Sequence, residues 1–202
     1  MHSQFPRFLR PLFGQNLIWN IKTSSKIIYL TFDDGPVPQT TPKLLELLDH
    51  YGVKATFFCV GENVQRHPEL FEAIKQRGHQ VGNHTFNHLK GFSTDNKMYV
   101  ENVQKADALI HSRLFRPPYG QIKFSQRKLL KSDYQIVMWD FITYDYAHNI
   151  TPEEILPNIK RRVRAGSIVV FHDSIHAASN MFTALPAAIE FWTNAGYKFE
   201  KL

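Results

Sequence analysis

Cysteine is almost absent from this chain of 202 residues. Cys59 stands alone, so no intrachain disulfide can form, and its apolar run Thr56-Phe57-Phe58-Cys59-Val60 points to a buried structural thiol. Long apolar runs are missing too. No stretch approaches the ~20 residues needed to span a membrane. Residues 1–20 lack the continuous apolar segment and small-residue cleavage site of a signal peptide, because Pro6, Pro11, Gly14, Gln15 and Asn16 interrupt Phe5, Phe8, Leu9, Leu12, Phe13 and Leu17. The expectation is an N-terminal segment, residues 1–25, that packs on the domain, with membrane-surface contact as its alternative role and a cytoplasmic location by default. Linkers, low-complexity tracts and fixed-period repeats are also lacking, which leaves a single domain long enough for a sizeable core.

Charge of one sign is in modest excess: 24 Lys plus Arg against 18 Asp plus Glu, a net +6. That fits a solvated surface better than a polyanion-binding one. The densest basic run, Lys160-Arg161-Arg162-Val163-Arg164 before Gly166, reads as the cationic end of a helix, and no nucleic-acid partner is expected. Aromatics are plentiful, with 16 Phe and 8 Tyr. Such rings fill cores and also line sugar-binding clefts.

Short β-rich runs alternate with helical stretches. Strands are predicted at Lys26–Thr31, Val53–Phe58, Gln80–Gly82, Leu114–Arg116, Tyr134–Trp139, Ser167–Phe171 and Tyr197–Glu200. Helices are predicted from Pro42, with Thr41 as N-cap and Leu44, Leu45, Leu47 and Leu48 as its apolar face. Further helices run from Pro68 to Gly78, over Asp95–His111 with Val100, Val103, Ala106 and Leu109 inward, and over Phe124–Lys131. The last two start at the capping-box pattern Thr151-Pro152-Glu153-Glu154 and span Ala178–Asn194. Alternating β and α implies parallel strands in a barrel or an open sheet.

In such folds chemistry gathers where strands end and loops begin. Asp33 and Asp34 follow the first strand, His84 the third, Arg116 ends the fourth, Asp140 and Asp145 follow the fifth and His172 the sixth. Taken singly, each has a plain alternative. His84-Thr85-Phe86-Asn87-His88 puts two imidazoles on one face if helical, but with ten His in the chain a chance pair is expected. His50, His67, His79, His111, His148 and His176 read as surface or cap residues. Asp33-Asp34-Gly35-Pro36 is either a cation site or good turn chemistry. Arg116-Pro117-Pro118-Tyr119 is either a stiffened loop whose Arg pairs with a carboxylate or a structural turn. His172 is suited to proton transfer, or is a satisfied core histidine.

Together and in order, these segments resemble the polysaccharide deacetylases, the NodB-like domain of carbohydrate esterase family 4. The resemblance rests on Thr31-Phe32-Asp33-Asp34-Gly35, His84-x-x-x-His88, Arg116-Pro117-Pro118-Tyr119, Trp139-Asp140 through Asp145-Tyr146, and Val170-Phe171-His172-Asp173. It covers about residues 26 to 200, so residues 26–202 are expected to be the catalytic domain.

The resemblance implies an α/β fold, a distorted (β/α) barrel of about seven parallel strands. It implies a divalent metal, zinc foremost with cobalt, nickel or iron as others, on Asp34, His84 and His88. Asp33 would be the general base that activates water, and Arg116 would orient it. The Tyr119 backbone N–H would help hold the oxyanion, and His172, tuned by Asp145, would protonate the leaving amine. Tyr119, Trp139, Tyr146 and Val170 would line the substrate pocket. Tyr146 stands where the family has Trp, Ile142 where an acidic residue is frequent, and Val170 where Leu is usual. The implied substrate is an acetylated glycan, peptidoglycan or chitin-like. O-acetylated xylan, a formylated lipid-linked amino sugar, and an inactive carbohydrate-binding pseudoenzyme are the alternatives.

Overall fold

The computed structural model describes residue 8, residue 10 and residues 17–202. In chain order the elements are β1 (Leu17–Ile18), β2 (Ile27–Asp33), α1 (Thr41–His50), β3 (Thr56–Cys59), α2 (Gly61–Arg66), α3 (Pro68–Gln76), β4 (Gln80–Asn83) and α4 (Asn96–Ile110). Then come β5 (Leu114–Phe115), a short 3-10 turn at Pro118–Gly120, α5 (Phe124–Leu130), β6 (Gln135–Val137), β7 (Phe141–Ile142), α6 (Pro152–Arg162), β8 (Ile168–His172), α7 (Ala178–Asn194) and β9 (Lys198–Phe199).

Every strand pairing between these elements is parallel. The sheet runs β1-β6-β5-β4-β3-β2-β8-β7, with β9 added to β2. Three residues separate β6 and β7 in the chain, yet five strands lie between them in the order, so the sheet curls back on itself. The seam at Met138–Asp140 is laced by Met138 N–H to Ile18 O (2.7 Å) and Asp140 N–H to Ile168 O (2.9 Å). The result is an incomplete, distorted barrel, as the family resemblance implies.

Strand alternation decides what enters the barrel. On β2, Ile28, Leu30 and Phe32 face the helical layer, where they join Leu44, Leu48, Ile74, Ala106, Leu185 and Trp192. Tyr29 joins the inner cluster of Phe58, Val137 and Ile168, so Thr31 and Asp33 follow it along the inner face. On β8 the same period sends Val169 and Phe171 outward and Ile168, Val170 and His172 inward. The strands pair with Asp33 opposite His172. Two ionisable groups therefore end neighbouring strands at the same end of the barrel.

Several expected features differ in detail. α2 was not expected; its first turn is organised by Gly61 and Glu62 amides bonding to Thr85 O and Phe86 O. In α4 the buried face is Tyr99, Val103, Ala106 and Ile110, with Val100 and Leu109 half-buried. The expected strand Tyr134–Trp139 is shorter, β6 ending at Val137 before the seam, and β7 beyond the seam was not expected. Thr41 was expected as an N-cap, but its hydroxyl donates to Asp173 Oδ2 and accepts from Val37 N. Of the N-terminal segment, Phe5, Leu9, Leu12 and Phe13 lie outside the described residues. Arg10 is buried and pairs with Asp140 at 2.8 Å, and β1 adds Leu17 and Ile18 to β6. Among the described residues no helix is long and apolar enough to cross a membrane.

Candidate active site

Asp34 sits just past β2 with φ of 80°, a left-handed conformation that turns its carboxylate away from the strand direction. Its Oδ1 is buried and accepts no hydrogen bond. Nε2 of His88 lies 3.3 Å from it and Nε2 of His84 3.8 Å. One ligand atom from each of Asp34, His84 and His88 lies within 4.8 Å of the others, the only such metal-binding group found among the described residues. A buried carboxylate oxygen left without a donor, facing two imidazole nitrogens, is a donor set that a divalent cation satisfies.

The histidine pair is not helical, so the shared helix face considered from the sequence does not apply. His84 lies just past β4, and the chain then turns through Thr85 (φ 63°) and His88 (φ 56°). Local bonds lock this turn: Thr85 N–H to Asn83 Oδ1 (2.9 Å), Leu89 N–H to Thr85 Oγ1 (3.0 Å) and Phe86 N–H to Asn102 Oδ1 (2.8 Å). His84 Nδ1 lies 2.7 Å from the Arg116 carbonyl, which takes the ring proton and leaves Nε2 for the cluster. The Tyr119 hydroxyl lies 3.2 Å from His88 Nδ1 and plays the same part there.

Electrostatics fit that arrangement. Burial lowers the His84 imidazole to about 4, against the pull of Asp33, so it stays neutral. Burial works against the charged form of Asp34, but the adjacent His88 and the charge of His172 outweigh it and hold this carboxyl well below the usual range.

Arg116 is fully buried. Its Nη1 donates to Asp33 Oδ1 (2.6 Å) and Thr31 Oγ1 (2.7 Å), its Nη2 to Met138 O (3.0 Å) and its Nε to Val137 O (3.3 Å). The guanidinium lies 4.1 Å over the Phe58 ring. It crosses the barrel interior and fixes Asp33 from below. Tyr119 follows in the 3-10 turn with φ of 58°. Of the six non-glycine residues with positive φ among the described residues, Asp34, Thr85, His88, Tyr119 and Tyr144 all lie at or beside this site.

His172 Nδ1 meets Asp145 Oδ1, and Thr143 Oγ1 donates to the same oxygen at 3.0 Å. The Tyr146 ring stands edge-on to His172 at 4.6 Å. Asp33, Asp34, His84, His88 and His172 share one cavity of about 230 Å³, walled by Pro117, Tyr119, Trp139, Ile142, Tyr144 and Tyr146. Val170, expected at the pocket, is fully buried in β8 and is not among the lining residues; its neighbour Ile142 is.

Two other expectations need correction. Asp140 does not join the cavity: it is buried at the seam on Arg10 and on Ser167 Oγ (2.7 Å). His79, read as a surface or cap residue, is buried and accepts from Ala55 N at 3.2 Å, and burial lowers it to about 4.

Sequence reasoning passed over Thr31, Asn63 (Nδ2 to Asp34 O, 2.8 Å), Thr143 and Tyr144. It also gave no role to Asp173, whose buried carboxylate accepts from Thr40 (2.6 Å) and Thr41 (2.5 Å) and presses on Gly35, where a Cβ would lie 2.3 Å from Oδ2. The one available signal was position: Thr31 and Thr143 lie two residues before Asp33 and Asp145.

The sequence profile of the polysaccharide deacetylase family matches residues 20–135, more than half of the chain. This chain belongs to that family. A peptidoglycan-N-acetylglucosamine deacetylase of Bacillus cereus is 34% identical over 189 residues, covering 90% of this chain and 88% of that protein. Among solved structures, a peptidoglycan N-acetylglucosamine deacetylase in complex with an N-oxidanyl-benzamide superposes with a TM-score of 0.90 at 27% identity, over 98% of this chain and 95% of that one. A family pseudoenzyme from Bacillus anthracis also superposes, with a TM-score of 0.83 at 25% identity, over 92% of this chain and 67% of that one. The fold is thus shared by active and inactive relatives, and the side chains of the site carry the functional argument.

Proposed function

We propose that the protein is a metal-dependent hydrolase that removes N-acetyl groups from the amino sugars of a glycan, peptidoglycan or a chitin-like oligosaccharide. The observation that carries this reading is the convergence, in one cavity, of the Asp34–His84–His88 donor set with Asp33 held by Arg116 and His172 held by Asp145. The names of its relatives, peptidoglycan and chitin deacetylases, point the same way.

Asp34, His84 and His88 would hold the divalent ion, zinc foremost, with cobalt, nickel or iron as alternatives. A bound divalent ion supplies Lewis acidity, which polarises a carbonyl and acidifies water. Asp33 takes the proton of the attacking water, and Arg116 keeps this carboxylate aimed. The Tyr119 backbone N–H donates to the oxygen that gains negative charge at the acetyl carbon. An amide nitrogen leaves poorly unless protonated, and His172 delivers that proton. Asp145 raises His172 to about 9 against the effect of its burial, so the imidazolium is available at neutral pH. Trp139, Ile142, Tyr144 and Tyr146 enclose the acetyl group. The products are acetate and a free amino sugar.

The test is acetate release by zinc- or cobalt-loaded protein. Substrates are peptidoglycan, chito-oligosaccharides, O-acetylated xylan and, with formate as readout, a formylated amino sugar. Release from the N-acetylated glycans is expected. Turnover of xylan alone would replace the amidase reading by an esterase one. Binding without turnover of any substrate would place the chain beside the pseudoenzyme.

A further inference from the structure

Asp173 is fully buried and does not line the catalytic cavity. Among the described residues the donors to its carboxylate are two hydroxyls, Thr40 Oγ1 on Oδ1 (2.6 Å) and Thr41 Oγ1 on Oδ2 (2.5 Å). Burying a carboxylate costs free energy that two neutral donors offset only in part. For joining a helix start to a strand end, an apolar contact would serve at lower cost. The carboxylate does more than that, because of the loop it holds.

That loop carries Asp34. At its start the Asp173 N–H donates to Asp33 O (2.8 Å), and Gly35 lies so close to Asp173 Oδ2 that a Cβ there would overlap the carboxylate. At its end Thr40 and Thr41, both buried, put their N–H groups on Val37 O (3.0 and 2.9 Å), and Thr41 Oγ1 accepts from Val37 N–H (2.7 Å). Asn63 Nδ2 on Asp34 O (2.8 Å) and Val60 N–H on Gly35 O (3.0 Å) complete the grip. Asp34 has little else to aim it. Its Oδ1 accepts no hydrogen bond, and its φ of 80° is a conformation that persists only where the surroundings impose it. The Asp34 carboxylate points where this loop sends it, and Asp173 is the side chain that ties both ends of the loop to β8.

Resting on the metal-site reading above, we propose that Asp173 is a positioning residue for the metal. By holding Gly35, Thr40 and Thr41 to the end of β8 it sets the place of the Asp34 carboxylate, and with it the affinity of the site, without touching the ion.

The experiment measures the zinc dissociation constant of the full chain by competition with a chromophoric chelator, beside the Tm of the metal-free protein. Asp173→Asn, which keeps the shape of the side chain, should weaken zinc binding about tenfold, a size typical of groups that orient a ligand. Thr40→Val keeps the Asp173 charge and removes one of its donors. It should weaken zinc binding at least about threefold, which makes the loss one of orientation and not of charge. Asp140→Ala removes another buried carboxylate, at the barrel seam; it should lower Tm and leave the zinc constant at the wild-type value. Unchanged zinc affinity in Asp173→Asn or in Thr40→Val would overturn the proposal. An equal loss of affinity in Asp140→Ala would do so too, by making the effect one of stability alone. Should Asp173→Asn not fold, Thr40→Val decides by itself. If the wild type binds no zinc, the metal reading fails and this proposal with it; zinc binding by the wild type with unmoved variants overturns this proposal alone.

Discussion

His172 and Asp145 are joined twice: one carboxylate oxygen lies 2.7 Å from ring Nδ1, and the other accepts the His172 backbone N–H at 2.8 Å. The side chain cannot turn without breaking away from its own main-chain anchor.

This double bond sets a pH dependence. Burial opposes the charge on His172, but Asp145, then Asp34 and Asp33, overcome it and bring the group from 6.5 to about 9. The folded value is raised, so the stability it contributes is complete below about 6.5 and is lost as pH rises through about 9. Urea denaturation of wild type and Asp145→Asn should differ most on the acidic side of that window and converge above it. The alkaline limb of kcat should move to lower pH in the variant; an unmoved limb would remove His172 as the acid.

Arg116 and Asp33 form an ion pair at 2.6 Å with almost no solvent contact. Replacing Arg116 by Met leaves Asp33 as an uncompensated charge, at a cost of about 3–5 kcal/mol. Denaturation should report that loss, and acetate release should fall at least about a hundredfold, consistent with losing an oriented base. Full activity in a destabilised Arg116→Met would show that Asp33 needs no orientation.

Metal binding has a readout apart from activity. A ligand that binds only the folded state stabilises it by about 2.7 kcal/mol at a hundredfold excess over Kd. Zinc should raise the Tm of chelator-treated wild type and leave that of Asp34→Asn nearly unchanged, with metal content by mass spectrometry following suit. Equal zinc stabilisation in both proteins would disqualify Asp34 as a ligand.

Asp140 supplies the contrasting case. It is buried at the barrel seam on Arg10 and Ser167, outside the cavity. Asp140→Ala should cost roughly 3–5 kcal/mol of stability, while kcat and metal content at low temperature stay at the wild-type level. A selective loss of kcat would give Asp140 a catalytic part.

What the sequence made legible was periodic or ordered. α7 spans the expected Ala178–Asn194, and β8 reads plainly because it is apolar on both faces. The site was legible only in sum: a weak histidine pair, an ambiguous Asp pair and a lone strand-end histidine gained meaning from their order along the chain. What stayed hidden depends on contacts that no local pattern encodes. Thr31 serves Arg116 across 85 positions, and Thr40 serves Asp173 across 133. α2 follows Gly61 with little apolar periodicity. The turn that gathers His84 and His88 depends on positive φ at Thr85 and His88, which no residue type announces. Asp140 and His79 misled for a related reason: a buried polar group satisfied by distant partners looks the same in sequence as a functional one.

Arg116 makes one protein of what would otherwise be a scaffold and a site. Its guanidinium binds β2 through Thr31 and Asp33, reaches the carbonyls of Val137 and Met138, and rests on Phe58 of β3. The floor of the barrel and the carboxylate at its mouth thus share a single hub. Engineering for heat resistance should therefore leave that hub alone and work on the outer helices, such as the α6–α7 face, which supplies none of the hydrogen bonds of Arg116.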